Sequence, residues 1–158
     1  MLALPDDQTF VEIFNNITST MLGMDVRQSP VVHLPEQRKK MLYCTGVLAM
    51  PGPHPITVAI SSDLAGSSTL AAALFATELT DVELDMIQDT TAELANMLAG
   101  QIKGLLNLSQ NLGLPKVFTQ VEFATSLTDT RWQHIDLCGD NFTLLLSYSN
   151  DTAIVSDY

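Results

Sequence analysis

From Leu84 to Leu105 the chain places apolar residues at the three- and four-residue spacing of an amphipathic helix: Leu84, Ile87, Leu94, Leu98, Ile102 and Leu105. With Glu93 set to zero and about 100° per residue, these side chains fall between roughly 100° and 180°. A helix this long with so narrow a stripe must lie along a core on one side and leave its other side open. Glu93 itself, Asn96 near 300°, Asp89 near 320° and Gly100 near 340° share that open side, on about 100° per residue. Long polar residues usually fill such a face. Here a carboxylate, a carboxamide and a glycine follow one another along a single line. Gly100 costs about 1 kcal/mol relative to Ala in a helix interior, so it points to close approach by a partner or to tight packing against a neighbouring element. Glu83 and Asp85 suit the N-terminal end of the helix dipole. Asn111-Leu-Gly113, followed by Pro115, supplies a stop signal.

The remaining segments predict an α+β domain. A first helix is expected from near Asp7 to Thr9 through Met21 or Leu22, closed by Gly23. A short strand is possible at Val31 to Leu34, and Met41 to Met50 reads as a half-buried strand. Pro51-Gly-Pro53-His-Pro55 forces a turn, so the strand at Ile56 to Ser61 closes an antiparallel hairpin. Asp63 is placed to cap a helix through Phe75. Three further strands are expected at Val117 to Ala124, Trp132 to Cys138 and Phe142 to Tyr148, the last two joined at Gly139-Asp-Asn141. Helices and strands are grouped rather than alternating, which favours a mostly antiparallel sheet of about six strands. Two long helices and a shorter one would pack on it, in one domain spanning residues 1–158.

Composition limits the functional classes. The chain is 46% apolar and 16% charged, which excludes a disordered protein. It has no run of about 18 apolar residues to span a bilayer. Asp6 and Asp7 stand where a secretory leader would carry Lys or Arg, so a cytoplasmic location is expected. The net charge of −11 argues against nucleic acid or an anionic membrane as partner and suggests meetings with other proteins. Cys44 and Cys138 sit in apolar, strand-like runs and are read as buried free thiols rather than a disulfide. His33, His54 and His134 are scattered with no ligand spacing on a helix, so no metal is expected. Ser61-Ser62 and Ser67-Ser68 are read as supports of the second helix. Trp132 is read as a core or sheet contact, and Arg38-Lys39-Lys40 as a solvated loop cluster rather than a partner contact.

A search for internal repetition adds a second copy of the open-face pattern. Glu12-Ile-Phe-Asn15-Asn-Ile-Thr-Ser19-Thr-Met-Leu-Gly23 lies over Glu93-Leu-Ala-Asn96-Met-Leu-Ala-Gly100-Gln-Ile-Lys-Gly104 without a gap. Glu, Asn and the final Gly coincide, and Ile13, Ile17 and Met21 lie over Leu94, Leu98 and Ile102. The chain thus divides into two halves, near 8–77 and 82–150, each bringing a helix with an outward Glu-x-x-Asn and a strand-rich segment after it.

The segment Asp89-Thr-Thr-Ala-Glu93-Leu-Ala-Asn96-Met-Leu-Ala-Gly100 resembles the central motif of the CheC, CheX and FliY family of chemotaxis phosphatases. Phe10 to Val26, ending Met-Leu-Gly-Met-Asp-Val, is similar to the first helix of CheX-type members. One departure is Ala92, where the family usually has Gly. The resemblance implies a pseudo-symmetric CheC/CheX-like fold and hydrolysis of the aspartyl phosphate on a CheY-like response regulator. It makes Asn96 the group that orients the attacking water, Glu93 the group that docks the regulator's lysine, and Gly100 the clearing for the partner. Glu12 and Asn15 become a possible second site, since CheC-type members use both helices and CheX-type members typically one. It implies no cofactor of the chain's own, Mg²⁺ being held by the regulator, and a homodimer, to which the apolar run Leu144-Leu-Leu146 lends weak support as a central or a covered edge strand. A non-catalytic adaptor for a regulator or a flagellar switch component is the alternative.

Overall fold

A computed structural model describes residues 3–119, 128–152 and 154. The described residues form helices α1 (Asp7–Leu22), α2 (Pro35–Met41), α3 (Leu64–Leu74) and α4 (Leu84–Leu105). The strands are β1 (Arg27–Gln28), β2 (Leu42–Met50), β3 (Ile56–Asp63), β4 (Lys116–Thr119), β5 (Gln133–Gly139) and β6 (Phe142–Ser149). They make one antiparallel sheet in the order β1-β5-β6-β3-β2-β4. Exchange β1 with β4, β2 with β5 and β3 with β6, and that order reads the same backwards. The two halves are therefore related by a pseudo-two-fold between β3 and β6, where Thr57 pairs with Ser149 and Ser62 with Leu144.

Local chemistry explains where the helices start and stop. The Asp6 carboxylate accepts the Thr9 N–H (2.9 Å) and its hydroxyl (2.6 Å), so α1 starts at Asp7, as expected, with Asp6 as its cap. Gly23 at φ 66° ends it. Asp63 caps α3 as expected, accepting the Gly66 N–H at 2.7 Å. Helix α4 ends six residues before the expected stop signal. Asn107 takes the left-handed conformation (φ 52°) that a glycine usually supplies. The Leu108 N–H then reaches the Lys103 carbonyl and the Asn107 N–H reaches Gly104, closing a Schellman turn. Leu84 and Leu105, first and last in the helix, are exposed although both belong to the apolar stripe.

Helices α1, α3 and α4 cover one face of the sheet. Phe10, Phe14 and Ile17 of α1 meet Leu94, Leu98 and Ile102 of α4 over Leu48, Val58, Ile60, Leu144 and Leu146. Each such side chain, fully buried, contributes about 1.5–3 kcal/mol. At Gly46 in β2 the helix comes closest: a Cβ there would lie 2.7 Å from the Thr91 carbonyl oxygen of α4. The sheet's other face carries Val47, Ala59, Trp132 and Ile154, with Phe118 against them, so Trp132 is a core contact.

The segment 27–41 departs from expectation. Val31 to Leu34 is not a strand; β1 lies earlier, paired to Cys138 and Leu137. Its donors are taken by side chains instead, Val31 N–H by Ser29 Oγ and His33 N–H by Asp136. Pro35 then starts a helix, consistent with its fixed φ in a first turn. Arg38 is no solvated loop charge. It is buried, with its guanidinium 2.8 Å from Asp136 Oδ2, and His33 Nδ1 lies 3.2 Å from the same carboxylate. Strand β6 is central, so Leu144, Leu145 and Leu146 are covered within the chain and lend nothing to a dimer edge. Cys44 and Cys138 form no disulfide; Cys44 is buried as expected, but Cys138 is only half-buried. They sit on β2 and β5, three strand spacings apart, or about 14 Å, beyond disulfide reach. Of the expected strand Val117 to Ala124, the part from 120 onward lies outside the described residues.

The Gly46 contact yields a test. Gly46→Ala is expected to destabilise the fold by about 1–3 kcal/mol through overpacking against α4, read as a lower urea midpoint at unchanged slope.

Candidate functional site

On α4, Asp89, Glu93 and Gly100 are exposed and Asn96 is half-buried, while Thr91, Leu94, Ala95, Leu98, Ala99 and Ile102 are buried. The open side of the helix is thus the one its apolar period left free. Among the described residues, neither the Glu93 nor the Asn96 side chain has a hydrogen-bond or ion-pair partner. Local sequence explains the lack of one for Glu93. Asp89 lies one turn before it and Met97 one turn after, so no lysine or arginine is in the i±4 positions. The Asp89–Glu93 spacing is mildly unfavourable, by about 0.2–0.5 kcal/mol. A Cβ added to Gly100 would meet nothing within 4 Å, so packing inside the chain does not account for this glycine. Three adjoining positions on one line of α4 therefore hold residues that do little for the helix.

The corresponding residues of α1 are engaged. Asn15 Oδ1 accepts the Val26 N–H at 2.9 Å and so ties the chain after Gly23 back onto α1. The exposed Glu12 accepts from Gln8 Nε2 at 3.2 Å. No feature of the sequence distinguishes Asn15 from Asn96. The partner of Asn15 lies eleven residues on, in a segment with no periodic pattern of its own.

Helices α1 and α4 pack side by side, and between them runs a groove of about 410 Å³. Asn16, Ile17, Thr20 and Met21 line it from α1, and Glu93, Met97, Gly100 and Gln101 from α4. In the repeat overlay Asn16 matches Met97 and Thr20 matches Gln101, so two of the four lining positions on each helix are equivalent in the two copies. Each helix is legible in the sequence, but the space between them depends on how they pack.

The other polar concentration lies on the opposite face of the sheet. There Asp136 receives Arg38 and His33, Thr45 bonds Ser61 at 2.8 Å, and His134 Nδ1 lies 2.6 Å from Ser147 Oγ. Burial, aided by the positive charge of Arg38 and opposed by Asp136, pushes the His134 pKa down to about 4, so its ring is neutral at neutral pH. The Asp136 pairs anchor α2, whereas His134 Nε2 is buried without a partner among the described residues. Among the described residues no three His, Cys, Asp or Glu side chains gather as a metal site, and no helix is long and apolar enough to cross a membrane.

A family model described as chemotaxis phosphatase CheX matches residues 44–135, more than half of the chain. The chain belongs to the CheX family. The matched segment contains α4 with Glu93 and Asn96 and begins after α1 with Glu12 and Asn15. No curated protein matches the sequence. Among solved structures, the chemotaxis protein CheX of Vibrio vulnificus superposes with a TM-score of 0.70 at 12% identity, covering 94% of this chain and 99% of that one. CheX of Borrelia burgdorferi, solved as a CheX–CheY–BeF₃–Mg²⁺ complex, gives 0.67 at 11% identity over 93% and 98%. FliY of Thermotoga maritima gives 0.54 at 15% over 98% and 96%. These likenesses show the same CheC/CheX fold: an antiparallel six-stranded sheet with its helices.

Gly100 provides the test of this site that is independent of any partner. Gly100→Ala is expected to stabilise the protein by about 1 kcal/mol, since its methyl meets nothing in the fold. Chemical denaturation checks this; a loss of stability would mean that the glycine serves packing after all.

Proposed function

We propose that this CheX family member is a phosphatase acting on a phosphorylated CheY-like response regulator, with one site per chain on α4. One observation carries the reading. Glu93 and Asn96 stand one helical turn apart, on the open side of α4, and neither side chain is bonded to another among the described residues. They also fall within the segment that matches the family. The Borrelia burgdorferi relative, solved with CheY, BeF₃ and Mg²⁺, supports a CheY-like partner whose phosphoryl group BeF₃ stands in for.

The reaction is attack of water on the phosphorus of an aspartyl phosphate, in line with the bond to the carboxylate oxygen. That bond breaks, its electron pair returns to the aspartate, and inorganic phosphate leaves. A regulator that already holds Mg²⁺ against the phosphoryl oxygens leaves mainly position to be supplied. Asn96 fits the role because a carboxamide donates and accepts hydrogen bonds together and carries no charge to repel the phosphoryl group. Glu93 fits the docking of a lysine by a charge-assisted hydrogen bond. Their Cα atoms are separated by about 4.5 Å along the helix axis, so both can enter one small site. Asn15 is left out of this role because its carbonyl is committed to Val26. Metal chemistry, on this reading, is the regulator's.

The test follows decay of a cognate regulator's acyl phosphate. Wild-type protein is expected to accelerate it, and Asn96→Ala to lose that acceleration by about 100-fold, the scale of one lost positioning donor. Asn15→Ala is expected to lower stability by about 1 kcal/mol through its lost hydrogen bond while keeping the acceleration. If wild-type protein leaves the decay unchanged, the chain is no phosphatase for that regulator; the adaptor role then stands. An Asn96→Ala variant as active as wild type would refute the assigned mechanism.

A further inference from the structure

The groove between α1 and α4 has no role in water positioning, yet it shares Glu93 and Gly100 with the site. We infer that it is the specificity-determining docking slot of the same site, receiving an apolar side chain of the regulator beside the lysine that Glu93 holds. This rests on the proposed function and adds the surface that selects the partner.

The helical wheel places the two features on opposite flanks of one ridge. Relative to Glu93, Gly100 lies near −20°, Asn96 near −60°, Met97 near +40° and Gln101 near +80°, at about 100° per residue. Glu93 and Gly100 form the crest, with Asn96 down one slope and the groove down the other. A partner seated on the crest with its phosphoryl group at Asn96 therefore covers the groove as well. Interface size calls for this. A specific complex buries about 800 Å² per partner, of which two side chains supply a small fraction.

The lining states what the occupant is. Ile17 is buried at the floor, Met97 is half-buried, and Met21 at the rim is 55% exposed. Methionines adapt their shape to an incoming apolar group. Asn16, Thr20 and Gln101 supply a neutral polar rim, and Glu93 is the one charged residue among the lining residues, with no Lys or Arg among them. The slot thus suits an apolar side chain neighboured by a cation and disfavours one neighboured by an acid. A second copy of this chain, at net charge −11, is a poor electrostatic match.

Acyl-phosphate decay under saturating and subsaturating protein separates this slot from the chemistry. Thr20→Arg, which places a cation where the partner's is expected, should raise KM about tenfold, and Met21→Gln several-fold, both with kcat unchanged. Thr20→Glu should leave KM equal or lower. Both residues lie at the helix surface, and circular dichroism checks that each variant folds. Unchanged KM in Thr20→Arg and Met21→Gln, with Asn96→Ala still inactive, would overturn the slot and leave the phosphatase reading standing. If wild-type protein does not accelerate decay, that reading fails, and binding of the BeF₃-activated regulator decides the slot alone. Weaker binding by Thr20→Arg supports it, and equal binding overturns it.

Discussion

The contact of α4 with β2 at Gly46 governs how the open side of the helix is presented. A backbone carbonyl of the helix, that of Thr91, approaches so near that any side chain at Gly46 would collide with it. Thr90 and Thr91 turn their hydroxyls back onto the carbonyls of Met86 and Ile87, keeping this closely packed turn free of unsatisfied donors. With the helix held at that distance, Leu94, Leu98 and Ile102 reach the core, and rotation about its axis is fixed. Glu93, Asn96 and Gly100 are then outward by necessity. Side chains that gain nothing from the fold stand in a set position because their neighbours gain so much.

The pseudo-two-fold gives the two halves equivalent strands but not equivalent duties. In both copies a helix with Glu-x-x-Asn lies on the same face of the sheet. In the first copy the amide is used to pin Val26 and helps fix where the chain leaves α1. In the second, Asn96 bonds no other side chain or backbone group among the described residues. Helix α1 contributes differently, as one wall of the groove beside Glu93. The groove is thus walled by both halves, although the Glu-x-x-Asn pair beside it comes from one.

What could be read from the sequence was what local chemistry decides. The period of α4, the Pro51 to Pro55 turn between β2 and β3, the Asp63 cap and the repeated Glu-x-x-Asn all follow from residues within a few positions of one another. The orientation of Glu93 and Asn96 was legible for the same reason, since a helix transmits phase along its length. What could not be read depended on distant partners. In sequence Arg38 reads as a surface charge because its carboxylate, Asp136, lies 98 residues away. The strand at Val31 to Leu34 failed because side chains took its N–H groups, and α4 stopped early because an asparagine filled a glycine's place. Gly46 carried no signal at all, since the helix it accommodates is known only from the packing. Nor did the groove, which belongs to neither helix separately.

The most direct measurement is a map of backbone amide shifts on titrating the protein with a BeF₃-activated CheY-like regulator. If α4 is the working surface, perturbations concentrate on residues 89–101 of α4 and on the facing stretch 16–21 of α1. Perturbations confined instead to the exposed 30–34 segment or to the β4 edge, with α4 silent, would contradict it.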